Sequence, residues 1–248
     1  MPATFDRAIV LRMYDWSETS QIAVMLTERH GLVRALAKGS RRPVARFSGG
    51  FELLTAGTAG LVMRPESELA TCTEWDLTEP FWHLRRSLDG FYRAVLAAEL
   101  LQRVVIDRDP HAVLFGCAME FLASLREQPS ADGPMVRLLW AALRESGWQP
   151  EVGAMLDGSV LPVDGTVRFC PELGGVIGAA EATTGVVWPV RAGTLRRLAA
   201  LEQSGEVGEG PETRRSARLL VSYAEYVLAQ PLLSRRFCFP ELSAATGR

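Results

Sequence analysis

The chain has 248 residues, 48% of them hydrophobic and 23% charged, with a formal net charge of −2. This composition supports a substantial buried core and excludes wholesale disorder, and the length suits two modest domains or one domain with an insertion. No uncharged apolar run reaches the ~18–20 residues of a membrane span and no basic-then-apolar leader opens the chain, so a cytoplasmic location without membrane partners is expected.

Residues 5–77 read as short strands. Ala8-Ile9-Val10-Leu11 and Ile22-Ala23-Val24-Met25-Leu26 are apolar runs separated by a polar stretch, and Leu32-Val33-Arg34-Ala35-Leu36 follows a turn at His30-Gly31. Two further runs occupy residues 51–63 and 69–77. Five strands in so short a span predict a small closed barrel, which removes sheet edges and offers one face and its loops to an oligonucleotide.

Beyond Pro80 the period changes from two to about 3.6. Leu84, Leu88, Phe91, Val95, Ala98 and Leu101 recur at helical spacing, as do Leu114, Ala118, Phe121 and Leu125, and residues 134–147 repeat the pattern. Asp109 is the expected N-cap of the second of these helices, with Pro110 in its first turn. Residues 150–190 lose the helical period and predict a small irregular insert, after which helix returns at residues 194–201 and 212–229. The expected organisation is α+β: a barrel over residues 1–80, then a helical domain over residues 81–248 interrupted by the insert.

Charge is unevenly spread. From Arg29 to Arg46 there are six basic residues (Arg29, Arg34, Lys38, Arg41, Arg42, Arg46) and no acidic one, so the remainder of the chain carries −8. A localised positive field of this kind draws in a polyanion, and it falls on a turn-rich link between apolar runs where binding groups commonly sit. A solvated loop without a partner is the competing reading. Lys38 is the only lysine of the chain. Six phosphate contacts to a single strand would give a log–log salt slope near −4 by the usual counterion arithmetic, about −0.7 per contact. Phe47, between Arg46 and the Gly49-Gly50 pair, is the expected base-stacking ring, whereas Trp16 and Phe51 read equally well as barrel core.

Signatures of catalysis are missing. Residues 31–40 end in Lys38-Gly39-Ser40 without the Gly-Lys-Ser/Thr order of a phosphate-binding loop, and no G-x-S-x-G, H-E-x-x-H or G-x-G-x-x-G motif occurs. The four cysteines include no C-x-x-C pair, and His30, His83 and His111 are isolated. No metal cofactor or enzymatic activity is therefore expected.

The order of these features resembles the RecO family of bacterial DNA repair proteins. Ala8-Ile9-Val10-Leu11-Arg12, Leu26-Thr27-Glu28-Arg29-His30-Gly31-Leu32 and above all Ala37-Lys38-Gly39-Ser40-Arg41-Arg42-Pro43 carry the likeness. Phe169-Cys170-Pro171-Glu172-Leu173-Gly174-Gly175 and Pro231-Leu232-Leu233-Ser234-Arg235-Arg236-Phe237 extend it over nearly the whole chain. The resemblance implies an N-terminal oligonucleotide-binding (OB) barrel and a helical domain. It also implies a non-enzymatic recombination mediator, nucleoid-associated, that binds single- and double-stranded DNA and anneals complementary strands. With RecR such a protein helps load RecA on DNA coated by the single-strand-binding protein SSB. Arg34, Lys38, Arg41, Arg42, Arg46 and Phe47 would form the DNA site. Arg126, Arg137 and Arg144 would rim a groove for the acidic, Phe-ended SSB tail, or are solvated helix-face charges. A pure adaptor, with the barrel only a support, is the alternative. Many relatives hold zinc through four cysteines in the insert, where this chain has Gly158, Leu161, Gly178 and Glu181. The expectation is an insert without zinc, held by packing of Val160, Val167, Phe169, Leu173, Val176 and Ile177.

Overall fold

The computed structural model describes residues 2–42, 47, 51–179, 183 and 185–243. The chain divides into two compact units, Met1–Pro129 and Ser130–Arg248.

In the first unit, β1 (Thr4–Asp15), β2 (Gln21–Thr27), β3 (Gly31–Ala37), β4 (Ala56–Val62) and β5 (Leu69–Glu79) close a barrel in the order β1-β2-β3-β5-β4. β4 returns to β1, and all pairs are antiparallel except β3 with β5. β1 is long enough to pair with β4 through its first half and with β2 through its second. A bulge between Val10 and Arg12 bends the strand and resets its alternation, so Ala8 and Val10 face the interior before it and Met13 packs against the same core after it.

Small and large side chains share the interior. Ala8, Ala23, Ala35, Ala37, Ala59 and Ala70 leave room for Phe47, Phe51 and Trp75, all buried. Phe51 lies 5.7 Å from Phe47 and 5.2 Å from Trp75, ring centre to ring centre. Truncating a ring in such a cluster to Ala costs about 3–5 kcal/mol. Gly57 allows the Trp75 indole to close down on β4, since a Cβ there would stand 2.8 Å from that ring.

The β2–β3 turn is held by a buried carboxylate. Asp6 accepts from the backbone N–H of Arg29 at 3.1 Å, from its Nε at 3.3 Å and from His30 Nδ1 at 2.7 Å. Thr27 Oγ1 donates to the Gly31 carbonyl at 2.9 Å and accepts from His30 N–H at 3.1 Å. Gly31 itself sits at φ +62°, with its α-carbon against the Asp109 backbone.

A 3-10 turn at Trp82–Arg85 leads into α1 (Leu88–Val104), capped by Ser87, whose side chain accepts from Gly90 N–H at 3.2 Å. α1 packs on β1, and Gln102 donates to the Leu11 carbonyl at 3.3 Å. α2 (Ala112–Ser124) begins after His111, and Asp109 does not cap it. The Asp109 backbone instead lies against the Gly31 turn, and the helix starts two residues later than that cap requires, after His111.

The second unit packs α3 (Asp132–Glu145) and α4 (Ala192–Ser204) on α5 (Pro211–Val227), with two short helices, α6 (Arg235–Cys238) and α7 (Pro240–Ser243), at the end. Arg214 of α5 ties the tail down by bonding Asp132 at 3.3 Å, Glu241 at 3.2 Å and the Cys238 carbonyl at 2.8 Å. Much of the insert is regular: β6 (Thr166–Cys170), β7 (Gly175–Ile177) and β8 (Trp188–Arg191) form a sheet ordered β7-β6-β8. Val167, Phe169, Val176 and Ile177 are buried as expected, but Val160 and Leu173 are 86% and 55% exposed and take no part in its core. Leu173 lies in a turn and Val160 in irregular chain, both outside the three strands.

Replacing Gly31 by Ala places a Cβ 1.9 Å from the Asp109 carbonyl oxygen at a backbone angle that already costs an L residue about 1–2 kcal/mol. Gly31→Ala is expected to destabilise the first unit by more than about 2 kcal/mol, read as a lowered urea midpoint with unchanged slope.

Candidate nucleic-acid interface

At one end of the barrel the β1–β2 and β3–β4 loops meet. The Arg41 N–H donates to the Thr19 carbonyl at 3.1 Å, Gly39 N–H to Ser20 Oγ at 3.2 Å, and Ser40 Oγ to Gln21 Oε1 at 3.1 Å. These bonds fix the start of the basic segment to the neighbouring turn. Between the loops lies an open cleft of about 320 Å³ whose lining includes Trp16, Leu36, Lys38 and Arg42.

The structure distinguishes cations that a sequence counts alike. Lys38 and Arg42 are exposed on this cleft, and neither makes an ion pair among the described residues. Arg34 and Arg41 are also exposed, but Arg34 pairs with Asp107 and Arg41 with Asp15. Their side chains remain 45% and 43% exposed and those of the carboxylates 41% and 67%, so water screens both pairs. Pairs of this kind contribute about 0–1 kcal/mol and exchange readily for a phosphate. Arg29 differs because its partner Asp6 has a fully buried side chain, which commits it to the β2–β3 turn. Arg46 lies outside the described residues. With three of the six cations already facing carboxylates, the net positive charge offered to a polyanion is smaller than the sequence count.

Phe47 is not the stacking ring expected from its neighbours. It is 7% exposed, packed on Phe51 within the barrel and bridged to Trp75 of β5. Closure of the barrel requires an apolar plug here, and that requirement outweighs the flanking arginine and glycines. Trp16 is the aromatic left at the surface, 63% exposed on the cleft. The signal for it was the step-two spacing of Arg12, Tyr14 and Trp16, which share the outer face once the bulge has reset β1.

The three candidate partner-binding arginines are divided between the two units. Arg126 belongs to the first unit, whereas Arg137 and Arg144 are exposed on one face of α3, two turns apart in the second.

Catalytic alternatives find little support in the side chains. Burial pushes the Cys72 thiol up to about 12, which leaves it protonated at neutral pH. Among the described residues no group of three or more His, Cys, Asp or Glu is placed to hold a metal ion. Nor do the insert positions fit the zinc module that the family resemblance implies. Gly158 and Gly178 offer no side chain, Leu161 is apolar and 7% exposed, and Glu181 lies outside the described residues. Arg168 braces this region by donating to the carbonyls of Gly178 at 2.7 Å and Ala179 at 3.1 Å.

Strand order and cleft together define an OB-type barrel joined to helices. The family model described as "Recombination protein O N terminal" matches residues 1–81. The chain is 32% identical over 238 residues to the DNA repair protein RecO of Anaeromyxobacter sp. (strain Fw109-5), covering 92% of this chain and 93% of that protein. It is 27% identical over 227 residues to the DNA repair protein RecO of Symbiobacterium thermophilum, covering 86% and 89% respectively. The chain belongs to the RecO family. Among the described residues no helix is long and apolar enough to cross a membrane.

Asp15 competes with any phosphate for Arg41. Asp15→Asn is expected to tighten oligonucleotide binding and steepen its log–log salt slope by up to about 0.7, measured by fluorescence anisotropy across a salt series.

Proposed function

We propose that this protein is a recombination mediator of DNA repair that binds DNA at the barrel's loop end and anneals complementary single strands. The observation that carries this reading is the cleft where Lys38 and Arg42 stand without ion-pair partners among the described residues, beside an exposed indole. Membership of a family whose relatives are named DNA repair protein supports it.

Annealing needs no covalent step. Two strands repel through their phosphates, and a surface that neutralises part of that charge while leaving base edges reachable lowers the cost of their encounter. Base pairing then drives the reaction. Lys38 acts as a compact charge and Arg42 as a planar fork able to hold two phosphate oxygens. Arg34 and Arg41 join them by exchanging Asp107 and Asp15 for phosphate. The protein works without an enzymatic centre. In this reading it acts with RecR to help load RecA onto SSB-coated single strands, and the exposed Arg137 and Arg144 of α3 are candidate cations for the acidic SSB tail. It stays with the nucleoid in the cytoplasm.

The insert in this reading carries no zinc, because its sheet is built from Val167, Phe169, Val176 and Ile177 and braced by Arg168. A chelator that strips structural zinc is expected to leave the thermal melting curve of the full chain unchanged. A lowered melting temperature, with zinc recovered in the filtrate, overturns this.

The decisive experiment is annealing of SSB-coated complementary strands. Lys38→Ala with Arg42→Ala is expected to slow annealing and to flatten the salt slope of single-strand binding by about 1.4, two contacts at about 0.7 each. Unchanged annealing and an unchanged slope remove the cleft as the DNA site.

A further inference from the structure

We infer that Trp16 is a base-stacking platform, so that the cleft takes the unpaired bases of a single strand and discriminates against duplex. This deepens, and rests on, the reading of the loop end as the DNA site.

Trp16 is 63% exposed, and no ring or guanidinium covers its indole among the described residues. Three of the other large exposed rings are treated differently. Arg12 lies over Tyr14 at 4.8 Å, Arg85 over Trp82 at 4.8 Å and Arg236 over Phe237 at 4.7 Å. Each of those rings has an internal cation on one face, whereas the Trp16 ring is left open beside two cations that lack ion pairs.

Its backbone is held in place. The Trp16 N–H donates to the Ser20 carbonyl at 3.0 Å, Ser17 N–H to the same oxygen at 3.1 Å, and Ser20 N–H to Ser17 Oγ at 3.2 Å. Ser20 Oγ in turn accepts from Gly39 N–H at 3.2 Å, next to Lys38. The turn carrying the ring and the turn carrying the cations are therefore joined before any ligand arrives. Little backbone ordering is left to oppose binding.

Stacking requires a free base face. In an extended single strand each base has one, and its phosphates lie within reach of Lys38 and Arg42. In a duplex both faces of each base are covered by its neighbours, and turning one out costs a few kcal/mol. The cations act on either form through phosphate, and the indole acts only on the unpaired form.

The test compares wild type, Trp16→Ala and Trp16→Phe on three probes of equal length: a single strand, a single strand of abasic sugar-phosphate, and a duplex. Trp16→Ala is expected to weaken binding of the base-bearing strand by about fivefold to about a hundredfold, the range one stacked base supplies, and to leave abasic and duplex binding unchanged. Trp16→Phe should restore most of the loss, and the salt slope should stay constant throughout. Equal losses on all three probes, or no loss on the base-bearing strand, overturn the proposal. Failure of the wild type to bind any probe overturns the DNA-site reading itself. A second measurement needs no variant: photo-crosslinking of a bromouracil-bearing single strand to the wild type should place an adduct on Trp16, and adducts confined to other peptides overturn the proposal.

Discussion

Closure of the barrel around three rings is the constraint from which the rest of the first unit follows. Trp75 and Phe51, joined by Phe47, occupy a space that six alanines leave open, and strands cannot close around it without them. Once that space is full, alternation leaves no choice on β1. Met13 turns in, Arg12 and Tyr14 turn out, and the chain leaves the strand with Trp16 at the surface. The same closure explains how a basic segment and a buried phenylalanine stand side by side. Phe47 serves the interior, and Lys38, Arg41 and Arg42 before it stand at the surface.

Electrostatics along the basic segment combines two exchangeable pairs with two cations that make no ion pair among the described residues. Arg34 and Arg41 have screened carboxylate partners, which keeps their charge compensated in the free protein yet costs little to surrender. Asp6 stands apart because it is buried and accepts three bonds from the Arg29–His30 turn, so its work is to aim β3 and the segment that follows. The five described cations of the basic stretch thus divide into a structural one, two exchangeable ones and two without ion pairs among the described residues.

In the second unit, side-chain packing and the Arg168 brace hold the insert together. The β7-β6-β8 sheet buries Phe169 against Tyr223 and stacks it on Trp188, at 5.7 and 6.0 Å between ring centres. That coupling to α5 gives the insert a core of its own.

Much of this was legible in the chain alone. Period-two runs, a change to 3.6 after Pro80 and the loss of period near residue 150 specified barrel, helices and insert, because burial of one face imposes those periods on any sequence that folds this way. The basic segment around Lys38 was equally plain, since charge is additive along a chain. What the sequence could not decide was the state of each member. Whether Phe47 or Trp16 lies inside depends on a bulge and on how strands close. Whether an arginine is paired depends on Asp6, Asp15 and Asp107, which approach from elsewhere in the chain. Asp109 failed as a cap because its backbone was claimed by a glycine 78 residues earlier. Local pattern settles which groups exist on which element, and only three-dimensional proximity settles which of them remain available to a ligand.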